Sequence, residues 1–349
     1  MKKILALVLA IAMVATFAAC GNTNATAEYK IGMGVVVSLD SSADTTAQAD
    51  ATVATVIMDA DGKIVAADLD VAQTKVTAAD AADLTKVDVR TKKEKGADYG
   101  MAAALNYGMD WNSDGVVKEW DAQAAAFAEK MVGKTAADIE AIATKLASDG
   151  KHNIADDADL LAVCTMDIVD FKAAFVAACK DADAKTFTAA ADSFKLGLAV
   201  DTDVSGSTAE TAQLYSTFSA VAVDAEGKVL AAIVDAIQPT VAFDKDGKVG
   251  EKTYKNTKRG LKDEYGMAAA LNYGMDWNSD GVVKEWYVQA KDYTDKMVGK
   301  TAADIEGIKT KLASDGNHNI CEDADLLAVC TMDVVAFNAD MVEAINAAK

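Results

Sequence analysis

Two kinds of hydrophobic pattern follow one another along the chain, and then do so again. Tyr29 to Leu39 is an apolar-rich run. After a polar loop, Thr52 to Met58 and Ile64 to Val71 are dense in β-branched residues on either side of Asp59-Ala60-Asp61-Gly62-Lys63. A glycine in a short polar loop between two such runs supplies the positive φ that a hairpin needs. Beyond them the period lengthens from two to near 3.6, and Ala and Leu replace Val. This predicts helices at Glu119 to Val132, Ala136 to Ala147 and Val169 to Ala178, with Gly133 ending the first and Thr135 capping the second. A last short strand is expected around Leu160 to Met166.

The second half repeats this order. Phe194 to Val200 opens it, Phe218 to Val223 and Val229 to Ala236 flank Asp224-Ala225-Glu226-Gly227-Lys228, and Val241 to Phe243 precedes Asp244-Lys245-Asp246-Gly247-Lys248. Helices follow at Glu285 to Val298 and Ala302 to Ala313, with Gly299 and Thr301 as stop and cap. Tyr99 to Trp120 and Tyr265 to Trp286 are the same 22 letters. An internal repeat sets the domain count before anything else does. The expected fold class is therefore α+β in two tandem repeats, each a small, mainly antiparallel sheet of hairpin or meander type followed by helices and a late short strand. Residues 29–180 are expected as the first module, 181–193 as a linker, polar and Ala-rich from Asp181 to Ala191, and 194–349 as the second module. Copies this alike say little through what they share; where they differ is more informative.

The N-terminus changes the picture. Lys2 and Lys3, the apolar run Ile4 to Ala15 and then Phe17-Ala18-Ala19-Cys20-Gly21 match a basic region, a hydrophobic region and a small-residue cleavage site. The run is too short for a permanent spanning helix. Residues 1–19 are thus expected as a signal peptide. Cys20 after Ala-Ala resembles the lipobox of bacterial lipoproteins, with Phe17 where that pattern usually has Leu. The resemblance implies lipidation at Cys20, a tether over residues 20–28 and a place on the extracytoplasmic face of the bacterial cell membrane, held by the lipid anchor. Of the other four cysteines, Cys164 and Cys330 correspond and sit in apolar runs, whereas Cys179 and Cys321 have no counterparts. No disulfide framework follows, and buried free thiols are expected. The formal charge of −20 disfavours phosphate-rich partners and excludes nucleic acid, while it suits cations or cationic substrates.

The sharpest local motif is Asp110-Trp111-Asn112-Ser113-Asp114-Gly115-Val116-Val117-Lys118-Glu119-Trp120-Asp121. Oxygen donors at positions one, three and five, Gly at six and a carbonyl at seven are what an EF-hand calcium loop requires. Asp110, Asn112, Asp114, Val116 and Asp121 are the candidate ligands, with Asp121 in place of the bidentate Glu at twelve. In the second copy they are Asp276, Asn278, Asp280 and Val282, and position twelve is Tyr287. The other reading is an Asp-Gly turn in which Ser113 or Asp114 caps the following helix without a metal.

A second constellation is Asp159-Leu160-Leu161-Ala162-Val163-Cys164-Thr165, repeated at Asp325 to Thr331. The order of strand, hairpin with Asp-x-x-Gly-Lys, a following Asp (Asp70 and Asp235), helices and a late Asp-to-Thr segment resembles the FMN-binding lipoprotein domains of Gram-positive bacteria. Those domains carry flavin on a Thr phosphoester within Asp-x-x-(Ser/Thr)-Gly-Ala-Thr. The resemblance implies a cofactor site at Asp159 and Thr165 and at Asp325 and Thr331. Ala162, Val163 and Cys164 depart from the motif, and Val stands where Gly would allow close backbone approach. Read without the family, the segment is a buried strand.

His152 and His318 stand in Asp-Gly-x-His-Asn-Ile loops, either as metal ligands or bases beside acidic residues or as solvated loop positions. Trp111, Trp120, Trp277 and Trp286, with Tyr107 and Tyr273, fit a ligand wall or core plugs. Ser205-Gly206-Ser207-Thr208 reads as a loop. No Ser-His-Asp spacing, phosphate-cradling Gly loop or paired-Cys metal site is present. The chain is expected to be a membrane-anchored extracytoplasmic lipoprotein, a ligand-binding or electron-transfer accessory for a small-molecule or redox partner, and not an enzyme. The alternative is a flavin-free surface lipoprotein that binds calcium or a solute.

Overall fold

The first apolar run forms β1 (Thr26–Ser38), and the β-branched runs form a long hairpin of β2 (Thr46–Met58) and β3 (Ile64–Thr77). The structure, a computed structural model, describes residues 26–109, 115–275 and 281–349. The signal peptide, Cys20 and the start of the tether lie outside the described residues. Residues 26–28, expected in the tether, already belong to β1. The hairpin turn is written locally: the Asp59 carboxylate accepts from the amides of Asp61 and Lys63 at 3.0 and 2.9 Å, and Gly62 takes φ of 76°.

Two short helices, α1 (Lys92–Lys95) and α2 (Met101–Ala104), lead to α3 (Trp120–Met131). The expected helix from Ala136 to Ala147 is only one turn long, α4 (Ala136–Glu140), and the rest is a small hairpin of β4 (Thr144–Leu146) and β5 (Asn153–Ala155). Thr135 is the N-cap as expected, and Asp138 completes a capping box with it. The Lys172 ammonium then binds the Ile142 carbonyl and stops the helix from outside, which local propensity does not register. The strand expected at Leu160 to Met166 is also not there. Asp157 accepts from the Leu160 amide at 2.9 Å and starts α5 (Ala158–Leu161), so the apolar run is a buried turn. It leads into α6 (Val169–Cys179).

Residues 181–193, expected as a linker, carry β6 (Lys185–Ala190), which pairs antiparallel with β1 from Lys185 opposite Ile31 to Ala190 opposite Thr26. Phe187 and Ala189 point inward and Thr186 and Thr188 outward, a period-two signal hidden in an Ala- and Thr-rich composition. The second half then runs β7 (Phe194–Asp203), β8 (Thr211–Gln213), β9 (Tyr215–Asp224), β10 (Val229–Ile237), β11 (Thr240–Phe243) and β12 (Val249–Thr253). Where β2 and β3 run unbroken, this hairpin bends, and at the bend the Leu214 amide donates to the Pro239 carbonyl at 3.0 Å. The helices are α7 (Lys258–Leu261), α8 (Met267–Ala270), α9 (Trp286–Asp295), α10 (Ala302–Glu306), α11 (Ala324–Leu327) and α12 (Val335–Ala347). A hairpin of β13 (Thr310–Leu312) and β14 (Asn319–Cys321) again replaces the end of an expected helix.

The protein is an α+β fold. One antiparallel sheet has the order β3-β2-β1-β6 and another β10-β9-β7. Their inner faces share a single core, in which Ile31, Val53 and Phe187 meet Leu196, Phe218 and Ile233. The outer face of the first sheet is covered by α3 and α6, through Phe127, Phe171 and Phe175 on Val56 and Leu69. In the second half, Tyr293, Phe337 and Met341 of α9 and α12 cover Val221 and Val234. Strands buried on both faces explain why the runs read as continuously apolar instead of alternating. Cys164, Cys321 and Cys330 are buried and Cys179 half-buried, and none of the four is in a disulfide, as the absence of a spacing framework leads one to expect.

A charged clamp joins the halves. Arg259 of α7 pairs with Asp181 at 2.9 Å and Asp235 at 3.4 Å, and donates to the Met33 carbonyl on β1 at 3.1 Å. In the first half the corresponding Lys93 reaches Asp68 at 2.7 Å, and its amide donates to Asp70.

Candidate functional site

The first half contains a groove of about 300 Å³ lined by residues from several separate segments. Asp50 and Thr52 of β2, Lys92, Trp120, Asp167 and Asp170 are among the residues that line it. Each is placed by a local device. Thr91 caps α1 by accepting from the Glu94 amide at 3.1 Å while Glu94 accepts from the Thr91 amide, and this fixes Lys92 at the first helical position. Its ammonium lies 5.4 Å from the ring centre of Tyr99 and 5.6 Å from that of Trp120. Asp50 is held by the side-chain amides of Gln48 and Gln73, both at 2.7 Å. Asp167 accepts from the amides of Asn153 and Val169.

The electrostatics are those of a partly dry, acidic site. Burial lowers the Lys92 pKa, with Asp50, Asp70 and Asp170 opposing the shift. Burial also raises that of Asp170, and the neighbouring carboxylates of Asp167 and Asp50 push it further up. Among the described residues Lys92 belongs to no ion pair, so its charge rests on aromatic faces.

The second half has the same frame around different residues. Matching the two Gly-Lys hairpins places Tyr215 where Asp50 stands, and matching the helices places Ala336 where Asp170 stands. Lys258, in the place of Lys92, lies 4.7 Å from the Tyr215 ring centre and 5.2 Å from that of Tyr265.

The residues singled out in the sequence are spread differently. Thr165 is 5 % exposed, and its amide and hydroxyl both bond Gln123 Oε1, at 2.9 and 3.2 Å. Thr331 does the same with Gln289 at 2.8 and 3.2 Å. Asp159 and Asp325 lie on the exposed sides of α5 and α11, so each Thr turns into the core and each Asp toward solvent. Of the calcium candidates, Asp110, Asn112, Asp114, Asp276, Asn278 and Asp280 lie outside the described residues. Val116 and Val282 are half-buried, and Tyr287 approaches Asp263 at 3.4 Å. Asp121 opens α3, and its Oδ1 is buried without a hydrogen-bond partner among the described residues. No group of three or more His, Cys, Asp or Glu side chains among the described residues is placed to hold a metal ion.

His152 and His318 each pair through Nδ1 with the aspartate three residues before, Asp149 and Asp315, and His152 also borders the groove. Trp120 and Trp286 are core plugs, 2 % exposed. Trp111 and Trp277 lie outside the described residues, and Tyr107 and Tyr273 face solvent. Ser205 to Thr208 is a loop. The groove itself carries no motif. Its one signal in the sequence is the divergence between halves at Asp50 and Tyr215, and at Asp170 and Ala336.

Outside the groove, Asp340 and Asp70 are buried carboxyls whose proton affinity is raised. Burial raises the Asp340 pKa to about 7 against a hydrogen bond from Thr217, with Asp201 and Glu343 adding repulsion. Burial raises that of Asp70 to about 6 against Thr91, Val71 and Lys93. Both groups hold a proton more tightly folded than unfolded, so the folded chain binds more protons between the ordinary carboxylate range and neutrality. Stability therefore falls as pH rises through that window. Thermal unfolding is expected at a higher temperature near about pH 5 than near about pH 8, with Asp340→Asn flattening the difference. A midpoint that rises with pH across this window would contradict the assignment.

Comparison with protein-family models, with curated proteins and with solved structures finds no match for this chain.

Proposed function

We propose that the chain is a lipid-anchored extracytoplasmic binding protein, an accessory and not an enzyme, that holds a small solute in the groove of its first half. The observation that carries this is the groove, whose volume of about 300 Å³ falls at the small end of ligand sites and whose wall mixes aromatic faces with a few fixed polar groups. The resemblance to FMN-binding lipoprotein domains supports an accessory role in the same compartment, and flavin on Thr165 or Thr331 would be its redox form. The buried, Gln-bonded hydroxyls weigh toward a non-redox solute.

Protein purified from its native host tests this through visible absorption, intact mass and the small molecules released on denaturation. A released solute that is missing from the Asp50→Tyr variant is the expected result. A yellow protein with added flavin mass, lost in the Thr165→Ala and Thr331→Ala double variant, would establish the redox form instead. Protein that carries neither a solute nor flavin would overturn the proposal. Anchoring is tested separately: Cys20→Ser should move the protein from the membrane fraction to the soluble fraction.

A second reading is calcium at the loop ending in Asp121, favoured by the unpartnered buried oxygen of that side chain. Titration calorimetry with calcium, repeated on Asp121→Asn and Asp114→Asn, decides it: unchanged isotherms remove the loop as a site.

A further inference from the structure

We propose, building on the groove as a binding site, that its ligand is a small organic ammonium ion and that the chain holds only one, because Tyr215 closes the corresponding place in the second half. The lining of the first groove contains three carboxylates, Asp50, Asp167 and Asp170, against the single ammonium of Lys92. Lys92 is seated on Tyr99 and Trp120 and not on a carboxylate, so the carboxylates keep capacity for a second cation. Crowding of Asp170 by Asp167 and Asp50 is relieved when a cation enters between them, whereas an anion meets net negative charge. Asp50 is pre-oriented by the two Gln amides, which occupy one direction on each oxygen and leave the others for a ligand.

The second half has lost two of the three carboxylates: Tyr215 puts a ring in the place of Asp50 and Ala336 removes the one at Asp170, while Asp333 keeps the place of Asp167 and Lys258 packs on Tyr215 and Tyr265. Asp203, which stands where the first half has Ser38, is taken up by its own loop through the amide and hydroxyl of Ser205, both at 2.7 Å. Tyr215 is thus a specificity-determining residue by exclusion.

The test uses the full mature chain with putrescine and choline as probes and glutamate as the anionic control, by titration calorimetry. One equivalent of a probe per chain is expected, with Asp50→Asn weakening binding by about thirtyfold or more while the unfolding temperature stays close to that of the parent. Two equivalents per chain would overturn the single-site inference while leaving the groove as a binding site. Binding of glutamate over both amines, or amine binding indifferent to Asp50→Asn, would overturn the ammonium assignment. Failure of the groove itself would appear separately, as native protein that releases no solute.

Discussion

Replacing Arg259 with Met should lower the unfolding free energy by about 3–5 kcal/mol, because it removes one partner from a buried ionic cluster and leaves the others charged. The side chains of Asp181 and Asp235 are only 7 % and 3 % exposed, and Arg259 is the cation that pairs with both. Burial already pushes the Asp235 pKa up, with the Arg259 charge as the main opposing influence. Without that charge, Asp235 must take up a proton or meet Asp181 uncompensated. The loss reaches further than a local contact, since Arg259 also donates to the Met33 carbonyl in the first half and Asp181 accepts from the Met33 amide at 3.1 Å. Urea unfolding at neutral pH is the measurement. Arg259→Lys, which copies the first half's Lys93, should recover part of the loss. A change below about 1 kcal/mol for the Met variant would mean that water reaches the cluster and screens it.

Gly197→Ala is expected to cost about 3 kcal/mol, the upper end of the usual range for overpacking. A Cβ at Gly197 would overlap the Ala344 carbonyl of α12, a backbone group that cannot rotate away as a side chain can. The same approach recurs in the first half, where a Cβ at Gly32 would overlap the Ala178 carbonyl and one at Gly34 would lie 2.5 Å from the Ala178 nitrogen. Each glycine therefore lets a helix backbone lie directly on a strand. Calorimetric melting of Gly197→Ala, with Gly227→Ala as a comparison for a purely conformational effect, distinguishes close approach from strain. Gly227 sits at φ of 76° with open space around it, so its cost is torsional alone. If Gly197→Ala melted with the parent protein, α12 would not seat on β7 as described.

Most strands and the long helices were legible because their causes are local. The Asp59 and Asp224 turns need only a carboxylate in reach of amides two and four residues on and a glycine at positive φ, and both are visible in ten letters. The cap at Thr135 was equally visible, yet not the end of that helix, beyond which Lys172 of another helix binds the Ile142 carbonyl. β6 escaped because its strand-forming Thr and Phe are set among Ala, Asp and Lys, which strands disfavour, and pairing with β1 decides its state.

What the amino-acid order determined by itself is the α+β alternation, the turns and the burial of Cys164 and Cys330. These follow from periodicity, from φ preferences and from apolar runs, each of which acts over a few residues. Only the tertiary structure decided that the two halves share one core between their sheets, because a run buried on both faces records its burial but not what covers it. It also decided that Thr165 and Thr331 face glutamines in the core, and that Asp50, Lys92 and Asp170 line one groove. Those residues stand on separate segments, and their meeting depends on how a hairpin, a one-turn helix and α6 pack.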